Sequence, residues 1–202
     1  MTRPFSTLAV PLQLQTINLS LVRPLQIGER TVRSAIGKQP VNGPVRAGRL
    51  GLAGDEQADP SVHGGLDKAV YAYPSEHYGF WQDQRRQHGV SLFDEALPSG
   101  FVGENLTLAG LLESDVWVGD ELHFPDCVLR VTAPREPCFK FNAVMGFAHA
   151  SRAMVHRGCC GFYLAVDRPG TLEAGQPFTL AAGRRSLSIP EAFAARRLKH
   201  LR

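Results

Sequence analysis

The chain has 202 residues, 44% hydrophobic and 20% charged, which is ordinary for one globular domain with a substantial core. Its formal net charge is +3, from 22 Lys and Arg against 19 Asp and Glu, and its scattered basic residues argue against a nucleic-acid polymer as partner. No apolar run has the length of a membrane span, and the N-terminus lacks the pattern of a secretion signal. We therefore expect a cytoplasmic protein that does not enter a membrane.

Four cysteines stand at positions 127, 138, 159 and 160. No two of them have C-x-x-C spacing, and adjacent cysteines cannot readily bridge one another. The sequence therefore favours neither a zinc ribbon nor a disulfide scaffold.

The first part of the chain shows alternating apolar residues and then becomes irregular. Apolar residues alternate over residues 14–27, which predicts a long strand interrupted at Pro24. Lys38 then stands between Gly37 and a proline-containing turn. It is either structural or, if this loop folds against Cys138, an anion contact.

Residues 51–68 show no apolar period and contain four glycines and three aspartates. A segment of this kind inside a compact domain is usually functional or disordered, and the composition favours function. His63, followed by Gly64 and Gly65, could donate a proton, bind a metal or simply pin the loop.

The middle of the chain predicts a strand over residues 69–73 and a helix from Ser75 to a stop at Gly89, with its aromatic residues in the core. A second loop-rich region covers residues 91–113. In it, Asn105 either orders a turn or contacts a polar ligand edge.

Residues 115–133 predict a hairpin that turns at Gly119–Asp120 and returns with Cys127 on a core-facing strand. The alternation stops at Pro134, and Cys138 follows Arg135 and a second proline. Lone cysteines are commonly small buried hydrophobes. Nearby positive charge, however, favours a thiolate that can attack electrophiles or bind a soft metal.

The last third predicts a short amphipathic helix from Phe141 to Ala148, strands over 161–166 and 177–180, and a capping box at Ser188–Glu191 that begins a final helix. Several short strands with few helices predict a mainly β fold of barrel type. We divide the chain into a domain over residues 1–185 and a short C-terminal helical segment over residues 186–202.

Three motifs carry a family resemblance: GLAGDEQADPSVHGGLDKAVYAYPSEHY, FVGENLTLAGLLESDVWVGDELHF and PREPCFK. They resemble MOSC-domain proteins, the family named for the C-terminal domain of molybdenum cofactor sulfurase, and above all its YiiM-like branch. The resemblance implies a MOSC-type β-barrel that binds the molybdenum cofactor, a molybdopterin with a phosphate tail, and the start of a C-terminal helical appendage. It also implies an enzyme that reduces N-hydroxylated compounds, such as N-hydroxylated purine bases, to amines.

The resemblance assigns roles residue by residue. It implies that Cys138 binds molybdenum and that Lys38 and Ser34 lie on the phosphate side. Arg135 would stabilise the thiolate and anionic oxygen, because a guanidinium suits both. The same resemblance places a second group at the edge of the pterin or substrate: His63, Gly64, Gly65 and Asn105.

Two departures from the family pattern bear on these expectations. Cys159 stands where many relatives are expected to carry a basic residue, so that anion contact is either missing or supplied by Arg157. The three-helix C-terminal region of relatives is represented only by its first helix, from Ser188, which affects partner choice more than cofactor binding.

Three functions remain open: a molybdenum reductase with Cys138 and His63 as catalytic residues, a cofactor carrier without turnover, and a metal-free thiol enzyme that uses Cys138 with His63 as base. A reductase needs a separate flavin or iron-sulfur protein as electron donor, because the sequence contains neither a dinucleotide fingerprint nor an iron-sulfur cysteine cluster. A homodimer is kept as an alternative to a monomer.

Overall fold

The computed structural model describes residues 11–58, 64–93 and 95–199. In these ranges the strands are β1 (Gln13–Leu19), β2 (Arg23–Ile27), β3 (Arg30–Ser34), β4 (Gln39–Val41), β5 (Val45–Gly48), β6 (Gly51–Leu52), β7 (Val70–Pro74), β8 (Leu106–Ala109), β9 (Glu121–His123), β10 (Val128–Pro134), β11 (Phe162–Arg168), β12 (Gly170–Leu172) and β13 (Thr179–Ala181). The helices are α1 (Tyr78–Gln87), α2 (Phe139–Met145), α3 (Ala150–Arg157) and α4 (Ile189–Lys199). The predicted mainly β class is confirmed.

Eight strands form one mixed sheet in the order β13-β9-β10-β11-β7-β8-β1-β4. Neighbouring strands in it run antiparallel, except that β7 and β8 run parallel. Strands β12, β5 and β6 form a second sheet, and β2 pairs with β3 as a hairpin. The centre of the large sheet, β10, β11 and β7, leads directly to the loops that carry the candidate residues.

The sheet curls without closing into a regular barrel within the described ranges, where β13 and β4 are its edges. The segment before β13 nevertheless bonds to the start of β1. The N–H of Leu14 donates to the carbonyl of Gln176 at 3.0 Å, and the N–H of Phe178 donates to the carbonyl of Leu12 at 3.2 Å. A few bonds outside the regular strands therefore draw the two sides together, a detail that alternation patterns do not encode.

The core explains the apolar pattern of α1. Trp81 is fully buried, and its indole N–H donates to the Tyr73 hydroxyl at 2.6 Å. The helix is followed by Gly89, whose φ of +68° ends it. The prediction of a core position is confirmed for Trp81, and Tyr78 is partly buried against the core.

Three predicted elements differ from the structure. The strand expected over residues 14–27 is two strands, with Pro24 inside β2. The chain does turn at Gly119–Asp120, where the N–H of Asp120 donates to the carbonyl of Trp117 at 3.0 Å, but the hairpin of β9 and β10 closes further along, where the N–H of Phe124 donates to the carbonyl of Cys127 at 2.9 Å. The buried Asp120 carboxylate also accepts the N–H of Gly183 at 2.7 Å and so links this turn to the segment after β13. The helix expected to reach Ala148 ends at Gly146, whose φ is +80°.

The predicted capping box is confirmed at the start of α4. The Ser188 N–H and hydroxyl donate to Oε2 of Glu191 at 2.9 and 2.7 Å, and the Glu191 N–H donates back to Oγ of Ser188 at 3.3 Å. Ile189 and Phe193 are buried, and α4 contacts β10. None of the helices in the described ranges is both long enough and apolar enough to span a membrane.

Candidate functional site

A cleft opens where β10 ends, between the loops that precede β4, β7 and β8 and the segment that leads into α2. Its lining includes four cationic side chains, Lys38, Lys68, Arg135 and Lys140. Two carboxylates, Asp55 and Glu56, also line it. The lining has a surplus of positive charge and therefore suits an anionic ligand.

Two glycines allow the turn over residues 100–105 to approach the segment over residues 36–38. A Cβ on Gly103 (φ +94°) would lie 2.7 Å from Cγ1 of Ile36, and one on Gly100 (φ +85°) would lie 2.7 Å from the carbonyl oxygen of Lys38. Real Cβ atoms do not make contacts this short, so both positions require glycine. This close approach brings Asn105 and Lys38 to the same wall of the cleft.

That wall is formed by Lys38, Asp55 and Asn105, and its charged groups are bonded to partners within the fold. The buried ammonium of Lys38 donates to Oδ1 of Asp55. Asp55 also accepts the Ser20 N–H at 2.8 Å and Nδ2 of Asn105 at 2.8 Å. Burial lowers the pKa of Lys38, although Asp55 acts in the opposite direction. We call these three residues the paired wall.

Hydrogen bonds fix both the side chain and the backbone of Asn105. Its side-chain carbonyl accepts the Tyr71 N–H at 3.1 Å, and its amide donates to the carbonyl of Asn18 at 3.3 Å as well as to Asp55. Its backbone bonds to Tyr71 and Asn18. Asn105 therefore joins β1, β7 and the turn before β8, which is one of the two roles expected for it.

Behind the paired wall lies a second buried carboxyl group, Glu104. Its Oε1 accepts the Tyr78 hydroxyl, the Gly100 N–H at 2.7 Å and the Thr107 hydroxyl at 2.9 Å. Burial raises the pKa of Glu104 above its ordinary value, although these hydrogen bonds oppose the shift.

The opposite wall consists of Arg135 and Cys138, and we call it the open wall. Arg135 is buried, and its Nη1 has no hydrogen-bond partner among the described residues. Its guanidinium carbon lies 4.9 Å from the ring centre of Tyr71 and 5.1 Å from that of Phe141. Cys138 is half-buried at the cleft, in the last position before α2.

The Arg135 charge persists despite burial. Burial alone would lower the pKa of Arg135, but Tyr71, Tyr163 and Cys138 raise it above its ordinary value. The cleft therefore presents a permanent cation with an unused donor beside a thiol, a combination that suits an anionic group carrying a soft centre.

The structure gathers part of the predicted set. Ser34, Lys38, Asn105, Arg135 and Cys138 all line the cleft. Ser34 is buried, and its hydroxyl accepts the Ile36 N–H at 3.3 Å.

The other predicted residues that the structure describes lie elsewhere or at the margin of the cleft. Gly64 does not line the cleft, and Gly65 adjoins it through its N–H, which donates to Oε1 of Gln57 at 3.3 Å. Arg157 lies at the end of α3 over the ring of Phe80, in a different surface cleft, so it is not brought to Cys138. His63 lies outside the described residues.

The cleft also contains residues that were not assigned to the site, among them Asp55, Lys68, Lys140 and Tyr163. The ammonium of Lys68 lies 5.7 Å from the ring centre of Tyr163, and Lys140 donates to the carbonyl of Arg33 at 2.9 Å. Asp55 and Lys68 belong to the irregular segment over residues 51–68, whose composition was the signal that could have identified them.

The other cysteines are structural by position. Cys127, Cys159 and Cys160 are buried, and burial raises the pKa of Cys127 to about 11 and that of Cys159 to about 12. All four cysteines are thiols rather than disulfides. Within the described ranges, no group of three or more His, Cys, Asp or Glu side chains could hold a metal ion. A metal at Cys138 would therefore depend on ligands from elsewhere.

Comparisons with known proteins agree on one family. The family model of the MOSC domain matches residues 59–179. Protein YiiM of Escherichia coli (strain K12) is 35% identical over 161 residues, which cover 80% of this chain and 70% of YiiM. The crystal structure of YiiM from Geobacillus stearothermophilus superimposes with a TM-score of 0.72 at 32% identity, covering 94% of this chain and 85% of that one.

A further relative is a longer protein. A protein named Reductase from Gibberella moniliformis (strain M3125 / FGSC 7600) is 34% identical over 150 residues, which are 74% of this chain but 26% of the reductase. The domain match, the identity to YiiM and the shared fold together place this chain in the MOSC domain family, in the YiiM-like branch.

Proposed function

We propose that this chain binds the molybdenum cofactor in the cleft and reduces N-hydroxylated compounds to amines. The observation that carries the proposal is the open wall, where the half-buried Cys138 stands beside Arg135, a buried cation with an unused donor. Membership of the MOSC family, which is associated with this cofactor, and the reductase among the relatives add support.

The donor set fits this cofactor. Its dithiolene-held molybdenum is a soft centre, and a thiolate such as that of Cys138 is a suitable ligand. Arg135 can donate its Nη1 hydrogens to anionic oxygen near the metal. Lys38, Lys68 and Lys140 supply positive charge for the phosphate tail, with Lys38 the weaker candidate because Asp55 already compensates its charge.

The aromatic side chains of the cleft have a different role. Burial raises the pKa values of both Tyr71 and Tyr163, so both phenols stay neutral and form an apolar side to the cleft. Ser34, Gly65 and Asn105 hold the surrounding loops in place, and His63 and Gly64 remain predictions for the substrate edge.

The bound cofactor would supply a metal centre able to remove oxygen from an N–OH group with two electrons. The balance is R–NHOH plus two electrons and two protons, giving R–NH2 and water. The chain's own residues would bind the anionic cofactor, orient the substrate over Cys138 and limit the access of water.

The test begins with the wild-type protein purified from a host that makes the cofactor. Molybdenum and pterin are measured per chain, and the holoprotein is then assayed with benzamidoxime and reduced methyl viologen, following the amidine product. We expect both components at near one per chain and turnover with viologen. Absence of molybdenum and pterin would refute the proposal. Cofactor without turnover would instead support a carrier.

A further inference from the structure

A basic surface lies on the side of the molecule formed by α1, α3 and α4. Two neighbouring surface clefts share Arg152 and His156, both exposed. The basic residues that line these two clefts define what we call the α3 face: His88, His149, Arg152, His156, Arg157 and Arg196. Three of them are arginines, which keep their charge at any physiological pH.

This face has little compensating charge. Among the described residues that line the two clefts, the only acidic side chain is Glu136, and it is bonded to Arg196. The apolar side chains of Val155 and Phe193 lie between the basic ones. Such a surface suits an acidic protein partner, because complementary charge steers association and fixes orientation.

The α3 face adjoins the loop that carries Cys138. Glu136 and Pro137, the two residues before Cys138, line one of its clefts. A partner seated there would touch the back of the segment whose other side forms the open wall.

A chain of aromatic contacts also joins this face to the cleft. Phe80 lines the α3 face beside Arg157, and its ring centre lies 4.8 Å from that of Trp81. Trp81 bonds to Tyr73, whose ring centre lies 6.2 Å from that of Tyr71, a residue of the cleft. Electron transfer through protein slows steeply with distance, so close contacts of this kind mark a short route.

The two tyrosines in this series of aromatic contacts are neutral, and their hydroxyl groups donate hydrogen bonds. The hydroxyl of Tyr71 donates to the carbonyl of Cys160 at 2.9 Å, and that of Tyr73 donates to the carbonyl of Cys159 at 3.1 Å. A peptide carbonyl does not take up a phenol proton, so oxidation of either ring is disfavoured. Electrons would therefore pass between the closely packed rings of this series without a tyrosyl radical as intermediate.

We propose that the α3 face is the docking site of an acidic electron-carrier protein that reduces the centre in the cleft. The inference rests on the proposed function, since it assumes a redox centre beside Cys138. A one-electron carrier would dock twice for each substrate. The two carrier molecules would together lose two electrons, and solvent would supply the two protons that convert R–NHOH to R–NH2 and water.

The experiment compares two electron sources on the holoprotein with benzamidoxime. The first is an acidic [2Fe–2S] ferredoxin kept reduced by its NADPH reductase, and the second is reduced methyl viologen. The variant is Arg152→Glu, with Arg46→Glu as the control, because Arg46 is an exposed arginine of β5 that lines neither the cleft nor the α3 face.

We expect Arg152→Glu to raise the KM for ferredoxin roughly tenfold or more and Arg46→Glu to leave it within about twofold, with viologen-driven rates unchanged in both. Added salt should raise the wild-type KM for ferredoxin in the same direction. Direct titration calorimetry of ferredoxin with the cofactor-free proteins should show a roughly tenfold weaker Kd for Arg152→Glu and an unchanged one for Arg46→Glu. An unchanged KM in Arg152→Glu, or ferredoxin that fails while viologen succeeds, would overturn the docking proposal. Failure of viologen with wild-type holoprotein would instead count against the reductase function, and with it the inference.

Discussion

The two walls of the cleft handle buried charge in opposite ways. On the paired wall, Lys38 is bonded to Asp55, and Asp55 receives further donors from Ser20 and Asn105. On the open wall, Arg135 keeps its charge with one nitrogen unbonded among the described residues. Burying an unsatisfied donor normally costs about 1–3 kcal/mol. The unbonded donor of Arg135 therefore lowers the stability of the fold, whereas the pairing of Lys38 avoids such a loss.

This difference separates structural from ligand-binding charge within a single cleft. A charge whose bonds are made inside the fold is needed for folding, whereas an unused buried donor is available to a ligand. Substitutions on the paired wall should accordingly lower the stability of the protein, and substitutions on the open wall should lower its cofactor occupancy.

The largest effect is expected at Cys138. Cys138→Ser should remove the thiolate ligand, reduce viologen-driven activity at least about 1,000-fold and leave the unfolding midpoint within about 2 °C, because the side chain is half-buried at the cleft. Cys127→Ser is the matched control. Its side chain is buried in the core, so it should lose stability and retain molybdenum per folded chain. Full activity in folded Cys138→Ser would remove this residue from the site.

Lys38 tests the paired wall. Lys38→Met should destabilise the protein by about 3 kcal/mol in urea unfolding, since it leaves the Asp55 carboxylate buried without its cation. The double variant Lys38→Met with Asp55→Asn should recover most of this loss, because the charge is then removed from both partners. No recovery in the double variant would show that the pair is not the source of the effect.

Arg135 tests the open wall. Arg135→Met should lower cofactor occupancy by about ten- to a hundredfold, since a charge-assisted hydrogen bond contributes about 1.5–3 kcal/mol. The cofactor-free protein should be no less stable than wild type, because an incompletely bonded cation has been removed from the interior. The measurements are molybdenum per chain and urea unfolding of the cofactor-free form. Unchanged occupancy would place the cofactor elsewhere.

Local patterns predicted much of the fold. Short strand-like runs identified β7 and β11, alternation identified the return strand β10, and the Ser188–Glu191 spacing identified the cap of α4, because each depends on neighbours in sequence. The turn at Gly119–Asp120 was identifiable from its composition, but the later closing turn of the hairpin at Phe124–Cys127 was missed, as was the bond of the Asp120 carboxylate to Gly183, 63 residues away. Contacts at that separation leave no local signal.

The residues of the candidate site also divide into those with a local sequence signal and those that depend on contacts between distant parts of the chain. Cys138 and Arg135 were identifiable because they share a short motif next to a strand end. The pairing of Lys38 with Asp55 spans 17 residues, and the position of Lys140 depends on its bond to the carbonyl of Arg33, 107 residues away. Arg157 was assigned to the cofactor by analogy with a neighbouring position, but at the end of α3 it lies over the ring of Phe80 and lines a different cleft.

The smallest expected effect concerns Glu104, behind the paired wall. Burial raises its folded-state pKa above the ordinary 4.5, so between these two values the folded protein holds a proton that the unfolded chain has lost. Stability should therefore fall as pH rises from 4.5 towards the folded-state pKa, by at most about 1.4 kcal/mol per pH unit. Glu104→Gln keeps an acceptor for the Tyr78 hydroxyl and removes this titration, so it should flatten the decline.

Urea unfolding of wild type and Glu104→Gln at pH 5, 6, 7 and 8 measures that difference directly. Glu173→Gln, at an exposed position, serves as the control and should differ from wild type by a constant amount at all four values. A constant difference for Glu104→Gln as well would mean that this carboxyl group is already ionised in the folded protein at pH 5. The paired wall would then tolerate a second buried negative charge behind Asp55, and the positive charge of Lys38 would be shared between two carboxylates.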